Sequence, residues 1–170
     1  MANVFQTLAA SGKMGKVYAE RLLKDVTPQQ FARKPAVGGQ TIDCNHPAFV
    51  YGHLSLYPQR VLTLLGEDPA AAAVPAGYTD LFKAGAACTD DPNGTIYPPM
   101  KELTESYFRT LDAALAGLAR ADNALADKPM PEGSHFPLVG IAISFYTNGH
   151  VMSHLGQIST WRRCVGLGAA

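Results

Sequence analysis

Apolar positions recur at helical spacing in four long segments of the chain. Successive residues of an α-helix turn by about 100°, so side chains three or four positions apart share one face. On this basis the sequence predicts long helices over residues 4–24, 47–65, 99–121 and 138–165, and a short one over residues 78–87. Four long amphipathic segments predict an all-α fold, a four-helix bundle.

Proline and glycine mark the boundaries and one irregularity. Pro47 suits a first helical position, and Gly66 suits the residue after a helix end. Pro58 lies inside the second predicted helix, where the missing N–H predicts a kink. The connection between the second and third helices, residues 66–98, is long, and loops of this length are often functional. Its Asp90-Asp91-Pro-Asn-Gly stretch predicts a solvated turn.

The composition limits the class of protein. A length of 170 residues predicts one domain, residues 1–170. The formal net charge of zero argues against a nucleic-acid partner, because a protein that neutralises phosphates usually carries an excess of basic residues. With 47% hydrophobic residues the chain is not wholly disordered. Only 16% of its residues are charged, and such a thinly charged surface predicts a buried face, a homodimer contact.

The expected compartment is the cytoplasm. The N-terminus shows no signal-peptide pattern. The sequence contains no run of about 18 apolar residues, so no membrane span is predicted. The three cysteines are odd in number and far apart in sequence, which fits a reducing environment. Cys44, next to a predicted helix start, is either a reactive thiol or a small buried residue.

Two histidines have the spacing of metal ligands. His150 and His154 are four residues apart, so both imidazoles lie on one helical face. Apolar neighbours such as Ile158 and Trp161 predict that this face points inward. His53 lies midway along the inner face of the second helix, from which it can converge with the pair. Three imidazoles with open positions predict a catalytic divalent-metal site, and two satisfied core histidines or a partly exposed pair are the alternatives.

The remaining candidates carry weaker signals. His46 is predicted to cap or precede the second helix, and His135 to lie on the surface. Arg60 is predicted on the same inner face as His53, as a clamp for an anionic substrate or as an ordinary end-of-helix arginine.

Three stretches together resemble the DinB family and its YfiT-like relatives. They are Asn45-His-Pro-Ala-Phe-Val-Tyr-Gly-His-Leu, Tyr97-Pro-Pro-Met-Lys-Glu-Leu, and His150-Val-Met-Ser-His-Leu-Gly-Gln-Ile followed by Arg162-Arg163 and Gly166. The resemblance implies a four-helix bundle, commonly dimeric, with one divalent metal on His53, His150 and His154. It also implies thiol S-transferase-like or hydrolase-like chemistry on a small molecule, in some relatives with a low-molecular-weight thiol cofactor.

The sequence departs from that family at one position. Many relatives carry an acidic residue after the first histidine of the pair, and here that residue is Val151. A general base of the HExxH kind is therefore absent, and the expected reactive group is a metal-bound water, alone or assisted by a carboxylate from elsewhere, or a metal-bound thiolate. Zinc or nickel is the expected metal. The alternatives are a non-catalytic, stress-related binding protein and a plain bundle with buried histidines.

Overall fold

The computed structural model describes residues 3–170, and this part of the chain is mostly helical. Its α-helices span Val4–Leu22 (α1), Pro28–Phe31 (α2), Pro47–Ser55 (α3), Tyr57–Leu65 (α4), Tyr78–Phe82 (α5), Met100–Arg120 (α6), Val139–Ser144 (α7) and His150–Cys164 (α8). A π-helix, Phe145–Gly149, joins α7 to α8. Short 3-10 turns occupy Pro69–Ala72 and Asn123–Asp127.

A small antiparallel hairpin precedes α3. Its strands are Ala36–Val37 (β1) and Gln40–Thr41 (β2), with Ala36 opposite Thr41 and Val37 opposite Gln40. Gly38 and Gly39 between them have φ values of 60° and 80°. Both values lie in the left-handed region that a two-residue hairpin turn needs and glycine adopts readily.

The four long predicted helices are all present, but two of them are interrupted. The segment 47–65 divides at Leu56 into α3 and α4, because Pro58 cannot donate the N–H that would continue the helical ladder. The segment 138–165 runs through α7, the π-helix and α8 without leaving helical geometry. The short helix predicted over residues 78–87 ends at Phe82, since Lys83 is extended.

α6 packs against α1, α3 and α4, and α8 packs against α1 and α3. The core between them holds large side chains that are almost fully enclosed: Phe5, Leu22, Phe31, Tyr51, Leu103, Tyr107 and Trp161. The Tyr51 hydroxyl donates to the carbonyl of Ala19 over 2.6 Å, which satisfies the polar end of a buried ring. None of the helices in residues 3–170 combines the length and apolar character needed to cross a bilayer.

The guanidinium of Arg162 joins the end of α8 to the end of α1. It is 2% exposed and donates to the main-chain carbonyls of Leu22 and Lys24. The last carbonyls of a helix have no partner within the helix, so this buried side chain caps α1 from outside.

The predicted solvated turn in the long connection is wrong for Asp91. Its carboxylate is 4% exposed and accepts main-chain N–H groups from Thr95, Ile96 and Tyr97. These hydrogen bonds lower the pKa of Asp91 against the opposing effect of burial. Asp90 pairs instead with Arg33 at 2.9 Å. The two carboxylates therefore organise the connection from within.

Candidate metal centre

The three predicted ligand residues lie together at one end of the contact between α3 and α8. Nε2 of His150 is 3.2 Å from Nε2 of His53 and 3.1 Å from Nε2 of His154. All three ligand nitrogens lie within 4.8 Å of one another. Ligands about 2.1 Å from a shared ion have mutual separations of roughly 3.0–3.4 Å, so the two shorter distances are compatible with one shared ion.

His53 is held by an enclosed helix. All nine residues of α3 are buried, and His53 itself is 5% exposed. The helix begins at His46, whose Nδ1 accepts the N–H of Phe49, as the capping prediction requires. Nε2 of His46 donates to the carbonyl of Thr89 over 2.9 Å.

His135 was predicted to lie on the surface, and its side chain is exposed.

His150 and His154 lie at the edge of the core, on a face whose apolar members Ile158 and Trp161 are fully buried. The core side of α8 also carries Val151 and Leu155, each one residue on from a histidine. One residue corresponds to a rotation of about 100°, so the two imidazoles are half-buried beside that stripe. The site is therefore reachable from outside the core.

The π-helix ends where the first of these histidines begins. Phe145–Gly149 is followed directly by His150 at the start of α8. A π turn holds more residues than an α turn. Helix faces assigned by counting α-helical turns from His150 back to α7 are therefore shifted. Such π segments occur frequently at functional sites.

The outer nitrogens of two histidines are fixed as donors. Nδ1 of His53 lies 2.6 Å from the carbonyl oxygen of Phe82, and Nδ1 of His154 lies 2.9 Å from Oε1 of Gln157. Oε1 of Gln157 also accepts from Asn45. Since carbonyl oxygens only accept, each Nδ1 carries the proton, and each Nε2 presents a lone pair to the centre.

His150 is the third member of the candidate ligand set. Its Nε2 faces both lone pairs, and its Nδ1 is buried with no hydrogen-bond partner among residues 3–170. One proton on Nε2 of His150 can be shared with only one of the two lone pairs. A divalent cation accepts all three nitrogens at once. A metal ion therefore satisfies the three imidazoles better than hydrogen bonds among them can.

The electrostatics keep the three imidazoles neutral. Burial lowers the pKa of His53 and His154. Burial, followed by the like charges of His154 and His53, lowers the pKa of His150 to about 4. Neutral imidazole is the form that binds metal, so at neutral pH the three side chains are in the protonation state that metal binding requires.

Tyr57 contacts the same centre, a role that sequence reasoning did not assign. Its hydroxyl lies 3.3 Å from Nε2 of His53, and its ring centroid lies 4.3 Å from that of His150. Burial raises the pKa of Tyr57, so the hydroxyl is protonated at neutral pH. The signal in the sequence is its position four residues after His53.

Arg60 does not reach the three histidines. It is exposed, contrary to its predicted place on the inner face, because the buried side of α4 carries Pro58, Val61, Leu62 and Leu65. Its guanidinium donates to the Tyr146 hydroxyl over 3.0 Å and lies 5.5 Å from the centroid of that ring. The ordinary reading, a helix arginine packed on an aromatic surface, describes its contacts.

A polar cleft of about 630 Å³ adjoins the centre through Gln157. Cys44 and Cys88 line it together with Lys34, Asp43, Asn45 and Ala87. Burial raises the pKa of Cys44, and it raises the pKa of Cys88 to about 11. Both thiols are therefore protonated at neutral pH, against a reactive-thiol role for Cys44.

Three imidazoles that could hold a metal ion thus converge on a helical scaffold, which defines the class as helical proteins with a candidate histidine metal site. The sequence model of the DinB superfamily matches residues 17–158, a range that contains all three histidines. The chain therefore belongs to the DinB superfamily. No curated protein and no solved structure matches it.

Proposed function

We propose that this protein is a divalent-metal-dependent enzyme that acts on a small molecule, with His53, His150 and His154 as the metal ligands. The observation that carries the proposal is the convergence of three Nε2 atoms at 3.1–3.2 Å from their neighbours. The donor hydrogen bonds on the far side of His53 and His154 support it, because they direct both lone pairs to one point. Membership of the DinB superfamily agrees with it.

A bound divalent ion supplies Lewis acidity and lowers the pKa of a water or thiol ligand. The chain supplies the orientation of the ligands through Phe82 and Gln157. Within the described residues the cluster contains no carboxylate, and the side chain of Val151 is buried in the core. Position 151 therefore packs the protein interior, and proton transfer by a neighbouring carboxylate is not part of the proposal.

The proposal includes two forms of the reaction, thiol S-transfer and hydrolysis. Zinc or nickel is the proposed metal, and a low-molecular-weight thiol is the proposed co-substrate of the transfer form. Turnover of esters or amides without added thiol distinguishes hydrolysis. Strict dependence on one thiol distinguishes transfer.

A non-catalytic metal- or ligand-binding protein is the second candidate. It is favoured by the absence of a carboxylate from the three-histidine cluster in residues 3–170. It predicts the same metal stoichiometry with no turnover. Both candidates share the proposed setting: one four-helix bundle domain over residues 1–170, in the cytoplasm, as a homodimer without a nucleic-acid partner.

Metal content is the measurement that tests the proposal. Untagged protein prepared without chelator is analysed by inductively coupled plasma mass spectrometry beside His53→Ala and His150→Ala, with His135→Ala as the matched control. We expect about one ion per chain in the native protein and in His135→Ala, and loss of the ion in the other two. A native protein that takes up no zinc, nickel, manganese or iron on reconstitution contradicts the proposal.

A further inference from the structure

The Tyr57 ring is held in a fixed position beside the three histidines. Its centroid lies 5.0 Å from that of His53 and 4.3 Å from that of His150, both edge to face. On its other side the ring stacks on Tyr146, with centroids 5.4 Å apart and planes inclined by 26°. Three aromatic contacts leave the hydroxyl little freedom to point elsewhere.

The hydroxyl has one hydrogen-bond partner within the described part of the chain, Nε2 of His53 at 3.3 Å. That nitrogen is also one of the three that converge on the proposed ion. A lone pair that coordinates a cation no longer accepts a hydrogen bond. When the site is loaded, the Tyr57 hydroxyl therefore loses this acceptor and stands next to the centre with a donor to satisfy.

We infer that Tyr57 is a catalytic residue that donates a hydrogen bond to a bound small molecule, at the atom by which that molecule binds the proposed ion. The inference rests on the proposed function and extends it, since it names the group that recognises the ligand. A neutral O–H donor favours ligands that present an electron-rich oxygen, sulfur or nitrogen atom, with anions bound most strongly. It gives the site a polar contact, where the cluster found in residues 3–170 contains no carboxylate.

The test compares Tyr57→Phe with Tyr146→Phe in cobalt-loaded protein. Both variants remove one hydroxyl and keep the ring, but the Tyr146 hydroxyl contacts Arg60 and not the histidines. Cobalt binding is followed by the visible absorption of the ion, and azide is titrated as the anionic probe. Circular dichroism establishes that both variants are folded.

We expect native protein and both variants to bind one cobalt ion with similar affinity. Azide should bind about tenfold more weakly to Tyr57→Phe, the size expected for one hydrogen bond to a charged group. Tyr146→Phe should bind azide as the native protein does. Equal azide affinity in all three proteins would overturn the inference, because the ring would then only pack.

Loss of cobalt from Tyr57→Phe also overturns the inference, since the hydroxyl would then be a metal ligand. Failure of the native protein to bind cobalt is a separate result. It removes the proposed function, and the inference with it. The binding titration thus distinguishes a wrong assignment of Tyr57 from a wrong assignment of the site.

Discussion

Oε1 of Gln157 accepts a hydrogen bond from Nδ1 of His154 over 2.9 Å, from a position three residues further along α8. The same oxygen accepts from Nδ2 of Asn45 at 3.0 Å, which fixes the amide against rotation. An exposed glutamine therefore determines the tautomer and ring orientation of a proposed metal ligand.

Replacing Gln157 by leucine should weaken metal binding by about 10–100-fold, the usual effect of losing the acceptor behind a histidine ligand. Gln157→Glu keeps an acceptor and should bind metal at least as tightly as the native protein. Competition with a chromophoric chelator measures both affinities. Equal affinities for Gln157→Leu and the native protein would contradict the assigned role.

Gly52→Ala should disturb the other oriented ligand. A Cβ at position 52 would lie 2.5 Å from ring atoms of Phe82, whose carbonyl accepts from His53. We expect a loss of about 1–3 kcal/mol in the free energy of unfolding, typical of overpacking, and weaker metal binding. Urea unfolding and metal titration are the measurements.

The matched control for this substitution is Gly156→Ala. Apart from its chain neighbours and the backbone of its own helix, no described atom lies within 4 Å of a Cβ at position 156, and the residue lies inside α8. We expect a gain of about 0.5–1 kcal/mol from helix propensity and no change in metal affinity. A Gly52→Ala protein that behaves like this control would show that Phe82 is not held by close packing.

The stability of the metal-free protein should fall in mild acid. Burial lowers the pKa of His46, which caps α3 through its neutral Nδ1. The unfolded chain takes up a proton near pH 6.5, while the folded chain resists it until a lower pH. The free energy of unfolding is therefore fully present above about pH 6.5 and decreases as the pH falls from there to the folded pKa.

His53, His150 and His154 act with the same sign in the metal-free protein, since burial lowers each pKa. His46→Asn keeps a helix-capping side chain and removes one of the four titrating groups. Urea unfolding at pH 7.5 and pH 5 should show a smaller pH effect in this variant. An unchanged pH effect would mean that His46 does not contribute.

Arg162→Ala should cost about 2–4 kcal/mol in the free energy of unfolding. The change leaves the buried carbonyls of Leu22 and Lys24 without their donor. Its neighbour Arg163 is exposed, and in the described part of the chain it bonds to Ser159 of α8, so Arg163→Ala should stay within about 0.5 kcal/mol of the native protein. Thermal and urea unfolding compare the two, and similar losses would argue against the cap on α1.

The sequence predicted the long helices and the pairing of His150 with His154 because both depend on local spacing. The i,i+4 relation of His150 and His154 is a property of any helix. His53 was found because the second helix carries it on an apolar stretch, all of which is buried in α3. The capping role of His46 follows from its place before Pro47 and is confirmed.

The parts that the sequence did not predict depend on interruptions and on distant partners. The break at Leu56 resets the faces of α4, so Arg60 turns to the surface. The π-helix offsets any period counted across it. The acceptor of His53 is a main-chain carbonyl 29 residues away, and a main-chain carbonyl is invisible in a residue pattern.

His53 and His150 are separated by 97 residues of chain, yet their nitrogens meet between α3 and α8. An ion held by both would act as a reversible crosslink of a very long loop. Because only the folded chain presents the three nitrogens together, the ion would stabilise that state by mass action, by about 4 kcal/mol at a thousand times its dissociation constant. A chelator would then act on this fold as a reductant acts on a disulfide-bonded one.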